Sequence, residues 1–170
     1  AAQLLHKGQL ACADISDQPA FEWRGAMIDV SRHFFPISFL KKQVDILSRY
    51  KINRLHLHLT DAAGWRIEIK RYPRLMTEAA WRTEASWKTW WNEGGRRYSA
   101  PDSIGAYGGF YSQTELRDLV AYAAQRGITI VPEIEMPAHS EEVLTAYPEF
   151  SCTHEPYKQA DFCIGNAGSI

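Results

Sequence analysis

Ile128-Thr129-Ile130-Val131-Pro132-Glu133-Ile134-Glu135-Met136-Pro137-Ala138-His139-Ser140 sets two carboxylates and a histidine directly behind a β-branched apolar run, with no room for a helix between them. β-Branched residues favour strands, and the proline-bearing stretch that follows stops one. Ionisable chemistry is thus delivered at a strand end. Two earlier runs close in the same way, Ala26 to Val30 on Ser31-Arg32-His33 and Ile52 to Leu59 on Thr60-Asp61. Ionisable residues at the carboxyl ends of several strands are the layout of an active-site rim in an α/β barrel.

Working outward, the spacing predicts a helix after Pro36, with Ser38 as N-cap and Phe39, Leu40, Val44, Ile46, Leu47 and Tyr50 as its buried stripe, ending at Lys51-Ile52-Asn53. A second helix is predicted from Ser112-Gln113-Thr114-Glu115, with Leu116, Leu119, Val120, Tyr122 and Ala123 as apolar positions and Arg126-Gly127 as its end. The order strand, helix, strand, long loop, helix, strand implies parallel strands with right-handed helical crossovers, so the fold class is α/β. Leu55, Leu57 and Leu59 alternate with His56, His58 and Thr60, giving an aliphatic face for helices and a polar face for a barrel interior. The region from Trp65 to Gly109 is too long for a plain connection. It holds Trp81, Trp87, Trp90 and Trp91 beside the turn sequence Gly94-Gly95-Arg96-Arg97, and predicts an elaborated loop or subdomain.

Three strands and two helices do not close a (β/α)₈ barrel, which needs about 250 residues. The expectation is a partial (β/α)₈ TIM barrel: residues 21–170 as the N-terminal portion of a catalytic domain, cut before the remaining strands, with Ile164 to Ile170 reading as a cut. Residues 1–20 read as the end of a helix and a polar connector belonging to a preceding domain.

The composition, 45% hydrophobic and 12% aromatic over 170 residues, is that of a globular chain. A formal charge of −1, with Lys and Arg dispersed, points away from nucleic acid and anionic membranes and toward a neutral substrate. No apolar run approaches the roughly 20 residues of a membrane span, and Ala1 to Lys7 lacks the layout of a signal peptide. Of the three cysteines, Cys152 and Cys163 share a loop-like stretch and form the candidate bridge, free thiols being the alternative.

Arg32, at a strand end, can donate paired hydrogen bonds to sugar hydroxyls or serve a structural ion pair. Asp61 and His139 end different strands, which in a barrel converge on one cavity. An Asp holding one ring nitrogen of a His leaves the other nitrogen for a catalytic acid; the plainer reading is a loop cap. Glu133 and Glu135 share a face but lie too close along the chain to flank a glycosidic bond, so both are assigned support, tied to Arg or to backbone N–H groups. His56-Leu57-His58 allows a zinc reading with Asp61 as a further ligand, against barrel-lining histidines that hydrogen-bond neighbours. Trp65 can stack on a pyranose or fill a core, and the tryptophans from Trp81 to Trp91 admit the same two readings.

The motifs Arg24-Gly25-Ala26-Met27-Ile28-Asp29-Val30-Ser31-Arg32-His33-Phe34, Asn53-Arg54-Leu55-His56-Leu57-His58-Leu59-Thr60-Asp61 and Gly64-Trp65-Arg66 occur in this order. Gly108-Gly109-Phe110-Tyr111-Ser112, Tyr122-Ala123, Arg126-Gly127-Ile128 and Pro132 to His139 continue it. Over residues 21–152 the chain thereby resembles the β-N-acetylhexosaminidases of glycoside hydrolase family 20.

The resemblance implies a (β/α)₈ barrel preceded by a small α+β domain, whose tail would be residues 1–20. The implied activity is exo-hydrolysis of terminal non-reducing β-linked N-acetylglucosamine or N-acetylgalactosamine from oligosaccharides and glycoconjugates. In that family the substrate's own acetamido oxygen attacks the anomeric carbon with net retention, so no enzyme nucleophile, cofactor or metal is called for. By the same resemblance Arg32 binds sugar hydroxyls, Trp65 lies at the substrate, and Asp61 and His139 form a supporting relay to an acid glutamate. That glutamate and its partner aspartate belong to the next strand, beyond Ile170, so the 170 residues alone are expected to be inactive. The implied partner is the glycan, with no nucleic acid and no membrane span; a homodimer is left open. A periplasmic, secreted or lysosomal location is expected, because glycans are hydrolysed there and a bridge between Cys152 and Cys163 would suit it.

The chain departs from the family's usual Asp-Asp-Gln-Gly-Trp at Asp61-Ala62-Ala63-Gly64-Trp65, and from Asp-Met-Pro-Gly-His at Glu135-Met136-Pro137-Ala138-His139. The second departure bears on the placement of His139, and misplacement on the order of 1 Å can cost about a hundredfold in rate. The rival readings are a catalytically inactive sugar-binding module and a metal-dependent barrel hydrolase using His56 and His58.

Overall fold

The computed structural model describes residues 5–6, 9–10 and 12–165. Leu5–His6 (β1) and Gln9–Leu10 (β2) pair antiparallel with Leu5 opposite Leu10, so the helix end expected in this segment is a short strand ribbon. So short an apolar pattern does not distinguish the two by periodicity. The elements that follow are Gly25–Asp29 (β3), Ile37–Arg49 (α1), Arg54–His58 (β4), Arg74–Thr77 (α2), Trp81–Arg82 (β5), Trp87–Asn92 (α3), Tyr107–Gly108 (β6), Gln113–Ala124 (α4), Thr129–Glu133 (β7) and Glu141–Ala146 (α5).

β3, β4 and β7 form a three-stranded parallel sheet in that order, as the alternation of strand and helix predicts. The register aligns Asp29 with His58 and His58 with Glu133. Paired residues of a parallel sheet share a face, so three ionisable side chains stand in one row at the carboxyl edge. Leu55, Leu57 and Leu59 fall on the opposite face and are buried with Val30, Leu40, Val44, Leu119, Ala123 and Ile128 between the sheet and helices α1 and α4.

The helices differ from expectation in their margins. Pro36, not Ser38, precedes the first turn of α1, its carbonyl accepting from the Phe39 N–H at 2.9 Å; the fixed φ of proline suits that position. Ile46 lies on the exposed flank of α1 and Val120 on that of α4, because the sheet covers only the arc centred on Leu40, Val44, Leu119 and Ala123, and Tyr50 is exposed just past the end of α1. The N-terminus of α4 is the capping box read from the sequence, with the Glu115 N–H donating to Ser112 Oγ at 3.1 Å and the Ser112 N–H to Glu115 Oε2 at 2.8 Å.

The long segment between β4 and α4 folds as a subdomain with α2, α3 and the antiparallel pair β5–β6. Its tryptophans pack within the loop: Trp90 is fully buried against Ala62 and Ala63 and touches Trp87 and Trp91. Gly108 in β6 is required by a close approach, since a Cβ there would lie 2.1 Å from the Ala80 carbonyl oxygen at φ +153°.

Two buried arginines bind this subdomain to the sheet edge. Arg66 donates to the carbonyls of Val30, Ser31, Ala63, Ala80 and Gly109. Arg82 donates to those of Arg32, Ala63, Glu84 and Ala85. Downstream of α5, Cys152 and Cys163 are joined in a disulfide with Cα atoms 5.0 Å apart, and Cys12 is free and exposed. Among the described residues no helix is long and apolar enough to cross a membrane.

Candidate active site

The row Asp29, His58, Glu133 is joined at the carboxyl edge by residues of the three loops that leave the sheet. Asp29 Oδ1 accepts from the N–H groups of Ser31 and Arg32, which turns the chain so that the Arg32 guanidinium folds back over the edge. That guanidinium then spans two carboxylates, Asp29 Oδ2 at 2.6 Å and Asp61 Oδ2 at 2.5 Å. The face of Trp87 lies 5.6 Å from it.

Asp61 is the meeting point. Its side chain is 3% exposed; Oδ1 accepts from the Ala62 N–H at 2.7 Å, and Oδ2 faces Arg32, His58 Nε2 at 3.2 Å and His139 Nδ1 at 3.6 Å. Burial alone would raise the Asp61 pKa, but the hydrogen bond to His58 and the charges of Arg32 and His139 outweigh it and hold the carboxyl below its ordinary value. Asp61 and His139 are therefore brought together, at ion-pair distance rather than in a hydrogen bond. His139 is 57% exposed on its side chain and has φ +55°.

The other ring nitrogen of His58 lies 2.7 Å from Glu133 Oε2, which His56 Nε2 also reaches at 2.7 Å. Glu133 is thus tied to two histidines rather than to Arg or backbone N–H groups, because the strand register sets it opposite His58. Glu135 lies farther off, with Oε1 3.8 Å from His58 Nδ1 and its N–H donating to Thr60 Oγ1 at 2.8 Å. His58 is raised to about 9, chiefly by its bond to Asp61, against the lowering effect of burial and with help from Glu133. His58, Glu133 and Glu135 offer ligand atoms within 4.8 Å of one another, the spacing a cation would use. Both ring nitrogens of His58 are already committed to carboxylates, so a metal would have to displace a held proton.

Trp65 does not present an open platform. The residue is 7% exposed and packs with Leu75, Met76, Val143 and Tyr147, and its indole N–H donates to the Ile67 carbonyl at 2.6 Å. Its remaining face borders an aromatic cavity of about 370 Å³ that Glu135, Met136 and Phe150 also line. Ala62 and Ala63 are buried against Trp90, and their carbonyls accept from Tyr98, Arg66 and Arg82.

Sequence reasoning passed over Asp29, Arg66 and Arg82. An acidic residue inside the apolar run Ala26 to Val30, three positions before Arg32, is the unused signal by which Asp29 could have been found. The link from His58 to Glu133 arises from strand register alone.

The charge pattern fixes how stability depends on pH. Asp61 and Glu133 have lowered pKa values when folded, so the stability they supply is present above the usual carboxylate range and lost as acid protonates them. His58 is raised from 6.5 to about 9, so its contribution is complete below pH 6.5 and is lost as pH rises through about 9. These are two views of one set of contacts and do not add. Melting temperatures of wild type and His58→Phe are expected to differ most between the usual carboxylate range and pH 6.5, where the ring is protonated and both carboxylates are ionised, and to converge above pH 9; a gap that widens with alkali would refute the assignment.

The family model described as "Glycosyl hydrolase family 20, catalytic domain" matches residues 21–168. A beta-hexosaminidase of Akkermansia muciniphila is 43% identical over 161 residues, 95% of this chain and 30% of the relative. One of Porphyromonas gingivalis is 46% identical over 145 residues, 85% of this chain and 16% of the relative. Among solved structures, a Vibrio harveyi exo beta-N-acetylglucosaminidase in complex with N-acetylglucosamine superposes with TM-score 0.73 at 35% identity, covering 90% of this chain and 24% of that one. The chain thus spans less than a third of the length of these relatives. The likeness puts the three parallel strands in a TIM-barrel-type domain, and on the family match over most of its length the chain belongs to glycosyl hydrolase family 20.

Proposed function

We propose that the full-length protein is an exo-β-N-acetylhexosaminidase that removes terminal non-reducing β-linked N-acetylglucosamine or N-acetylgalactosamine from glycoconjugates. The observation that carries this reading is the convergence of Arg32, Asp61 and His139 at one sheet edge, in a chain whose relatives are named for that activity. The chain is read as the N-terminal portion of a (β/α)₈ catalytic domain. The aspartate that orients the acetamido group and the glutamate that protonates the leaving oxygen would come from barrel strands outside these 170 residues.

On this reading the acetamido oxygen closes on the anomeric carbon as the glycosidic oxygen departs with a proton from the acid. Water then opens the oxazolinium ring with net retention. Arg32, already spanning Asp29 and Asp61, keeps N–H groups for adjacent sugar hydroxyls. Asp61 faces one nitrogen of His139 and leaves the other to the acid. The Cys152–Cys163 bridge supports a periplasmic, secreted or lysosomal location.

The test is hydrolysis of a chromogenic β-N-acetylglucosaminide by the full-length protein, with His139→Ala and Arg32→Ala beside wild type, each with and without a chelator. Activity is expected to survive chelation and to fall at least about a hundredfold in both variants. An inactive wild type would leave a sugar-binding module, and loss on chelation would point to a metal.

A further inference from the structure

The Asp61 carboxylate has three partners that set the direction of Oδ2, and they are unequal. Arg32 reaches it at the end of a long side chain that is 34% exposed, and His139 stands off at 3.6 Å. His58 is different: its side chain is 8% exposed, turns about only two χ angles, and comes from the last residue of β4, three positions before Asp61. Its ring lies between two carboxylates, with Nε2 3.2 Å from Asp61 Oδ2 and Nδ1 2.7 Å from Glu133 Oε2. Ionised carboxylates only accept, so both ring nitrogens carry hydrogen and both arms of the ring are fixed. Glu133 is itself held by His56 at 2.7 Å. A rigid strut thus runs from β7 through His58 to Asp61.

We propose that His58, on the glycosidase reading given above, is a positioning residue that fixes the Asp61 carboxylate toward His139, with Glu133 as the post that fixes His58. The role is indirect. Its proper readout is therefore the turnover that depends on Asp61, not binding of the sugar.

Two amides separate the arms of the ring. In His58→Gln the side-chain N–H₂ stands near the place of Nε2 and keeps the bond to Asp61, whereas in His58→Asn it stands near Nδ1 and keeps the bond to Glu133. In the full-length protein, His58→Asn is expected to lower kcat about a hundredfold with KM changed less than about threefold. His58→Gln is expected to lose about tenfold or less, although both variants melt at similar temperatures. Equal losses in kcat, or losses that simply follow melting temperature, would overturn the proposal.

A second readout is independent of activity. The carboxyl-carbon NMR resonance of Asp61 is expected to titrate at higher pH in His58→Asn and near its wild-type position in His58→Gln. Arg32, His139, Asp29, His56, Glu133 and Glu135 face the pair equally in both variants, so the difference isolates His58. An inactive wild type would defeat the glycosidase reading, and an Asp61 titration that is the same in both variants would defeat the role of His58.

Discussion

Asp61→Ala in the full-length protein is expected to lower kcat/KM by about 10³-fold, and adding His139→Ala to it is expected to lower it little further. The first figure follows from what the carboxylate holds. It takes the Arg32 guanidinium at 2.5 Å, one nitrogen of His58 at 3.2 Å and the facing nitrogen of His139 at 3.6 Å, all on one oxygen. With alanine in its place Arg32 keeps only Asp29, His58 keeps only Glu133, and His139 loses the charge that selects its tautomer. The second expectation separates a relay from a collection of independent contacts. Residues acting as one unit give non-additive losses, so the double variant should be no worse than the worse single one within about threefold. Multiplying losses would mean that Asp61 and His139 serve different steps. The split between constants adds a check: Arg32→Ala is expected to raise KM, because that residue is assigned to the sugar, while Asp61→Ala and His139→Ala act on kcat.

The sequence carried the parts of this site that depend on local pattern. Alternation of Leu55, Leu57 and Leu59 with His56 and His58 set the two faces of β4, and the structure buries the leucines and lines the other face with the histidines. Ser112 and Glu115 announced the start of α4 because a capping box is local chemistry. Strand ends were legible for the same reason, and they carried Arg32, Asp61 and His139. What was not legible depends on where distant segments come to rest. Glu133 reaches His58 across 75 positions only because β4 and β7 pair in one register, and a shift of one residue would turn it to the other face. Ile46 and Val120 have helical spacing yet stay exposed, since the width of a buried stripe is set by the neighbour and not by the helix itself. Trp65 follows a strand end and on sequence can be either a sugar platform or a core residue; only the packing of Leu75, Met76, Val143 and Tyr147 around it, at the border of the aromatic cavity, shows how much of its ring is covered.

Arg66→Met is expected to destabilise the fold by about 4 kcal/mol, the scale of breaking a buried hydrogen-bond network around a charge. The side chain is fully buried and its guanidinium donates to five carbonyls on four separate segments, those of Val30 and Ser31, Ala63, Ala80 and Gly109. Burial lowers its pKa to about 10, which still leaves it charged at neutral pH, with the carbonyl dipoles and the face of Phe34 at 5.7 Å replacing water. Methionine fills much of the volume but donates nothing, and each buried carbonyl left without a partner costs about 1–3 kcal/mol, less whatever water recovers. Lysine tests the geometry. It restores the charge but offers three donors from one point, where five carbonyls arranged around a planar fork need the guanidinium, so Arg66→Lys is expected to recover less than half of the loss. Chemical denaturation of the three proteins measures this, and a lysine variant within about 1 kcal/mol of wild type would show that charge, not the fork, is what the site requires. The consequence for catalysis follows from which carbonyls are involved. Those of Val30 and Ser31 directly precede Arg32, and that of Ala63 closes the loop begun at Asp61, so loosening Arg66 should also lower kcat in variants that remain folded.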